Sequence, residues 1–88
     1  MTPLARQRHI ENLKKALLDS GLIQDRFGKF KLPSEDTYRI HFKDNNFRLE
    51  RKVGDRWILS KGGVLVQTTV DQMIAIKARM VQFTRMIV

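Results

Sequence analysis

Over residues 38–68 apolar and polar positions alternate with a period of two, with Tyr38, Ile40 and Phe42 on one parity and Arg39, His41 and Lys43 on the other. This is the pattern of strands with one buried and one exposed face. Turn residues break the alternation at Asp44-Asn45-Asn46, Val53-Gly54 and Gly62-Gly63. Together these features predict an antiparallel β-meander of three to four strands. In the first hairpin, a loop of two or four residues keeps Phe47 and Leu49 on the face of Tyr38, Ile40 and Phe42. Arg39, His41, Lys43 and Arg48 then share the opposite face, and a two-residue loop is read as bringing His41 opposite Glu50.

Two registers compete for the second hairpin. A three-residue loop, Lys52-Val53-Gly54, sets Arg51 opposite Asp55, Glu50 opposite Arg56, Leu49 opposite Trp57 and Phe47 opposite Leu59. It satisfies charge pairs and apolar pairs together and is the expected register. A two-residue Gly54-Asp55 loop would place Trp57 opposite Lys52 on the charged face. Gly62-Gly63 is expected to form a third tight turn, returning Val64 and Val66 to the apolar face and leaving Leu65 outside beside Ile58 and Ser60.

Helical periodicity flanks the meander. Thr2 before Pro3 is a helix-start signal, and Ile10, Leu13, Leu17 and Gly21 follow at spacings of 3, 4 and 4. They predict an amphipathic helix ending near Ser20-Gly21, whose other face mixes Arg6, Lys14 and Lys15 with Glu11 and Asp19. Leu22 and Ile23 are expected to tuck under the sheet. Residues 27–32 read as a short edge strand, with Phe30 and Leu32 inward and Lys29 and Lys31 outward, where lysine also guards against edge pairing. Further on, Thr69-Val70-Asp71-Gln72 has the capping-box pattern and opens a long C-terminal helix. Met73, Ile76, Met80, Phe83 and Ile87 form one apolar stripe of this helix, and Val70, Ile74, Val81 and Val88 form a second. The second stripe is either enclosed by the fold or a contact with another copy of the chain, which makes the C-terminal helix the candidate homo-oligomer surface.

The expected architecture is therefore a single α+β domain over residues 1–88: an N-terminal helix, the meander and a long C-terminal helix, with both helices on one face of the sheet. This element order is shared with double-stranded-RNA-binding domains. Their lysine-rich start to the second helix is not, since Val70-Asp71-Gln72-Met73 stands there, and no family is assigned.

Composition adds a partner class. The 88 residues carry a formal charge of +8, which favours nucleic acid, DNA or RNA, or an acidic protein surface. The absence of cysteine removes disulfides and thiolate zinc sites, and an intracellular, cytoplasmic location is expected. Glu11 and Asp19 interrupt the arginines of the N-terminal segment, so it reads as mature structure. No window has the length of apolar chain that a membrane span requires, so no membrane partner is expected.

No catalytic constellation emerges. Gly62-Gly63 lacks the strand-loop-helix setting of a phosphate loop, and His9 and Glu11 cannot share a helical face at a spacing of two. An enzyme is the least expected class, and no cofactor or metal is expected. The candidate binding residues are Lys29, Lys31, Arg39, Lys43, Arg48, Arg56 and Ile58. The first expectation is a small regulator that contacts nucleic-acid phosphates through the basic sheet face, without base stacking, because Trp57 is expected inside. The alternative is an adaptor or inhibitor, of the kind encoded by phages and mobile elements, docking Ile58 and Leu65 within an arginine rim of Arg48 and Arg56.

Overall fold

The computed structural model describes the backbone of residues 1–87 and the side chains of residues 1–81. Helix α1 (Pro3–Asp19) begins where the sequence signals it: Thr2 Oγ1 accepts the Ala5 N–H at 3.1 Å, and Pro3 occupies the first turn. It ends at Ser20, followed by Gly21 at φ +105°, a conformation that glycine adopts without strain. Leu13 and Leu17 are fully buried, so the predicted stripe faces the core.

The sheet has five antiparallel strands in chain order, more than the expected three to four: β1 (Ile23–Gln24), β2 (Phe30–Lys31), β3 (Tyr38–Lys43), β4 (Asn46–Val53) and β5 (Arg56–Val64). Leu22 is buried as expected, but Ile23 is exposed because it pairs with Lys31 in β1. The lysine-bearing strand β2 is therefore second from the edge. Asp25 shapes the β1–β2 loop, its Oδ1 accepting the backbone N–H groups of Phe27 and Lys29 at 2.9 Å each. The bond from Lys29 is the leading reason that the Asp25 carboxyl lies below its usual range.

The first hairpin turns on Asp44-Asn45, with Asp44 at φ +54°, and pairs Ile40 with Leu49 and Phe42 with Phe47. This register sets Arg39 opposite Glu50 and His41 opposite Arg48, so the expected His41–Glu50 pair does not form.

The second hairpin adopts the two-residue register. Gly54 turns at φ +60°, Val53 faces Arg56, Lys52 faces Trp57, Arg51 faces Ile58 and Glu50 faces Leu59. Trp57 thus stands on the charged face, and the expected Arg51–Asp55, Glu50–Arg56, Leu49–Trp57 and Phe47–Leu59 pairs are absent. The reason lies in what covers the sheet. Arg51 and Ile58 have the parity of the core residues yet are exposed, so the helices do not reach this end of the hairpin. No core is present there to receive an indole, and Trp57 instead packs beneath the Arg39 guanidinium, 4.0 Å from the ring centroid.

A register shift between Leu49 and Glu50 leaves Ser60 as the extra residue of a β-bulge. Beyond it Lys61 faces Leu49, Gly62 faces Arg48 and Gly63 faces Phe47, so Gly62-Gly63 lies within β5 and makes no turn. Gly63 is required by packing: a Cβ there would lie 2.5 Å from Phe47 Cε1. Leu65, expected outside, is fully buried in a short 3-10 helix (Leu65–Gln67) that turns the chain under the sheet. This crossing is pinned from two sides. Asn45 accepts the Leu65 N–H at 2.8 Å on its carbonyl and the Val66 N–H at 3.2 Å on its side chain. His9 Nε2 donates to the carbonyls of Leu65 at 3.1 Å and Thr68 at 2.7 Å, tying α1 to the crossing.

Helix α2 (Val70–Ile87) opens with a complete capping box: Thr69 Oγ1 accepts the Gln72 N–H at 3.0 Å, and Gln72 Oε1 accepts the Thr69 N–H at 2.8 Å. Met73, Ile76 and Met80 join Leu13, Leu17, Phe30, Ile40, Phe47, Leu49 and Leu65 in one core between the helices and one sheet face. Of the second stripe, Val70 is exposed while Ile74 and Val81 are half-buried. Phe83, Ile87 and Val88 lie outside the residues whose side chains are described.

Candidate functional site

Parity and register assemble the outer face of the sheet. Phe30 pairs with Ile40 toward the core, so the flanking Lys29 and Lys31 fall on the outer side with His41 and Arg39. β4 adds Arg48, Glu50 and Lys52 to this side, and β5 adds Trp57 and Leu59, with Lys43 at the end of β3. The candidate residues Lys29, Lys31, Arg39, Lys43 and Arg48 are thereby brought onto one surface. Arg56 and Ile58 are not: they pair with Val53 and Arg51 on the other side of the projecting hairpin. The adaptor surface expected around Ile58 and Leu65 with Arg48 and Arg56 therefore does not exist, since Leu65 is in the core and Ile58 and Arg56 point away from Arg48.

Glu50 organises this face. It is 8% exposed and accepts from Arg39 Nε at 2.9 Å on Oε1, while Arg48 Nε stands 3.6 Å from Oε2. A buried carboxylate bracketed by two guanidinium groups is compensated, and it fixes how far each arginine projects. Arg39 is held between Glu50 and Trp57. Lys43, Arg48 and Lys52 remain exposed, and the Lys52 Nζ also lies 5.8 Å from the Trp57 ring centroid.

His41 registers the field of the cluster. Its pKa lies below the usual value of 6.5, first because of burial and then because of the positive charges of Lys29, Arg39 and Lys43, with Glu50 opposing them. The neighbouring cations disfavour a further positive charge on the imidazole, which marks a place where an added anion would be favourable. Lys52, Trp57 and Leu59 were missed in the sequence reading because their face depends on the hairpin register. The Gly54-Asp55 turn was the signal that would have found them.

Among the described residues no group of three histidine, aspartate or glutamate side chains is placed to hold a metal ion. No helix within them is long and apolar enough to cross a membrane. Compared with known protein families, characterised proteins and solved structures, the chain matches none.

Proposed function

We propose that this protein binds nucleic acid, DNA or RNA, as a small non-catalytic regulator, with the outer sheet face following the phosphate backbone. The observation that carries this reading is the clustering of Lys29, Lys31, Lys43, Arg48 and Lys52 on one surface around an arginine-clamped carboxylate, Glu50, and His41. Lysine and arginine at these positions act as phosphate partners, and such contacts set orientation without reading sequence. Trp57 extends the reading. The indole is half-exposed on the binding face, but Arg39 covers one side of it, so it serves as a platform for a guanidinium more readily than for a base.

The test is fluorescence anisotropy with a labelled duplex across a salt series. With about five phosphate contacts, the logarithm of affinity falls about 4.5-fold as steeply as the logarithm of salt rises, roughly a 500-fold loss between 50 and 200 mM. Two charge-equivalent variants separate a site from bulk charge. Lys43→Glu with Arg48→Glu reverses the outer face, whereas Arg6→Glu with Arg8→Glu reverses exposed arginines of α1. The outer-face variant should lose about 100-fold in affinity and the α1 variant only a few-fold. Equal losses in the two variants, or an affinity indifferent to salt, would remove the proposal.

A further inference from the structure

Strand β5 pairs with β4 on one side and ends the sheet on the other. The opposite edge is closed by the two-residue β1, whereas β5 presents nine residues, Arg56–Val64. An edge of that length offers a row of backbone N–H and C=O groups to an added extended chain.

Two hollows flank the same short stretch of this edge, residues 61–64, one on each face of the sheet. On the helix side, a hollow of about 350 Å³ lies between β5 and α2, walled by Phe47, Val64, Ala75 and Ile76 together with the cations Lys61 and Arg79. Among the described residues no carboxylate lines it. On the outer side, a hollow of about 460 Å³ lies over Gly62 and is bordered by Lys43, Arg48 and Leu59, with one carboxylate, Asp44, at its Lys43 end. Successive side chains of an extended peptide point to opposite faces, so a strand laid beside residues 61–64 would send alternate side chains into the two hollows.

Gly62 supplies an independent pointer. Its φ is not in the left-handed region, and a Cβ there would meet only Phe47 O at 3.5 Å and Leu59 Cδ1 at 3.8 Å, ordinary contacts. Neither backbone conformation nor internal packing demands glycine at this position, in contrast to Gly63. Glycine within a strand keeps the surface low where another backbone approaches.

We propose that the β5 edge along residues 61–64 takes up an extended segment of a partner protein as an added strand, with alternating apolar and acidic side chains. The apolar side chains enter the hollow between Phe47 and Ile76, and the carboxylates face Arg48, the nearest outer-side cation, one strand in from β5. Charge complementarity selects an acidic partner segment over a second copy of this chain, whose formal charge is +8. Lys43 and Arg48 border the nucleic-acid face as well, so the test turns on the inner hollow and on the backbone pairing.

The probe is a capped, fluorescein-labelled peptide of alternating valine and glutamate, read by anisotropy. Two controls accompany it: the same peptide N-methylated at alternate residues, and a peptide of equal composition with valines and glutamates in separate blocks. The alternating peptide should bind and shift the backbone amide resonances of residues 61–64, and both controls should bind at least about tenfold more weakly. Ala75→Gln, which fills the inner hollow from an exposed helix position, and Arg79→Glu should each weaken binding about tenfold with an unchanged melting temperature. Equal binding of the blocked peptide would overturn the proposal, as would absence of binding at millimolar concentration. A dimer that forms through β5 and excludes the peptide would also overturn it.

Discussion

Gly63 and Gly62 are adjacent in sequence, and the fold predicts opposite responses to the same added methyl group. At Gly63 a Cβ would stand 2.5 Å from Phe47 Cε1, 2.9 Å from Cζ and 3.4 Å from Cδ1. Phe47 is 3% exposed and paired with Phe42 across the hairpin, so making room means displacing its ring from the core toward the hollow against α2. Overpacking of this kind costs about 1–3 kcal/mol, partly offset by the roughly 0.4–1 kcal/mol that alanine contributes by restricting the unfolded chain. At Gly62 the same offset acts without the clash. Gly63→Ala should therefore be less stable than Gly62→Ala by about 1–3 kcal/mol, which at roughly 4–8 °C per kcal/mol is readily measured by thermal or urea unfolding. Phe47→Leu in the Gly63→Ala background should recover part of the difference, because the added methyl then meets a smaller side chain. Two results would refute the reasoning. Equal stability of the two alanine variants would mean that Gly63 does not face Phe47, and a large loss in both would mean that the glycines form a tight turn after all.

Three further predictions follow from the same contacts. His41 has a folded pKa below its unfolded value, so its contribution to stability is full above about pH 6.5 and declines as pH falls from there to the folded pKa. Urea midpoints should fall over that window, and His41→Gln should flatten the dependence; a stability that rises on acidification there would contradict the placement. Glu50→Gln removes the negative charge that clamps Arg39 and Arg48, and should tighten duplex binding while lowering stability by about 1–3 kcal/mol. Weaker duplex binding by this variant, in a folded protein, would argue against the outer face as the contact. His9→Ala deletes the donor shared by the Leu65 and Thr68 carbonyls and should destabilise the fold by about 1–3 kcal/mol in urea unfolding. A loss below about 0.5 kcal/mol would mean that water replaces the imidazole at this junction.

His9 also illustrates how the readable parts of the chain differ from the rest. Nothing in the local sequence marks it, because its acceptors lie more than fifty residues away in a segment expected to be a strand. Asn45 is similar: a turn residue by sequence, it also satisfies backbone groups of the 3-10 helix (Leu65–Gln67) that follows β5. By contrast, Thr2, Pro3, Thr69 and Gln72 announce their helix starts, because a cap and its N–H partner are three residues apart at most.

Local pattern alone carried the α+β class, both helix starts, which residues of the first hairpin share a face, and the sidedness of Lys29, Lys31, Arg39, Lys43 and Arg48. Each of these rests on a period or on a bond between near neighbours. The places of Trp57, Ile58, Gly63 and Leu65 depend instead on long-range packing. Alternation shows which residues share a face, but not how far the helices cover it. Where that cover ends, near Leu49, the apolar pairing that favoured one hairpin register loses its reward, and a cation over the indole with a bulge at Ser60 takes its place. β5 is an open edge for a different reason, that no further strand follows it, and the two hollows lie along its opposite, covered end.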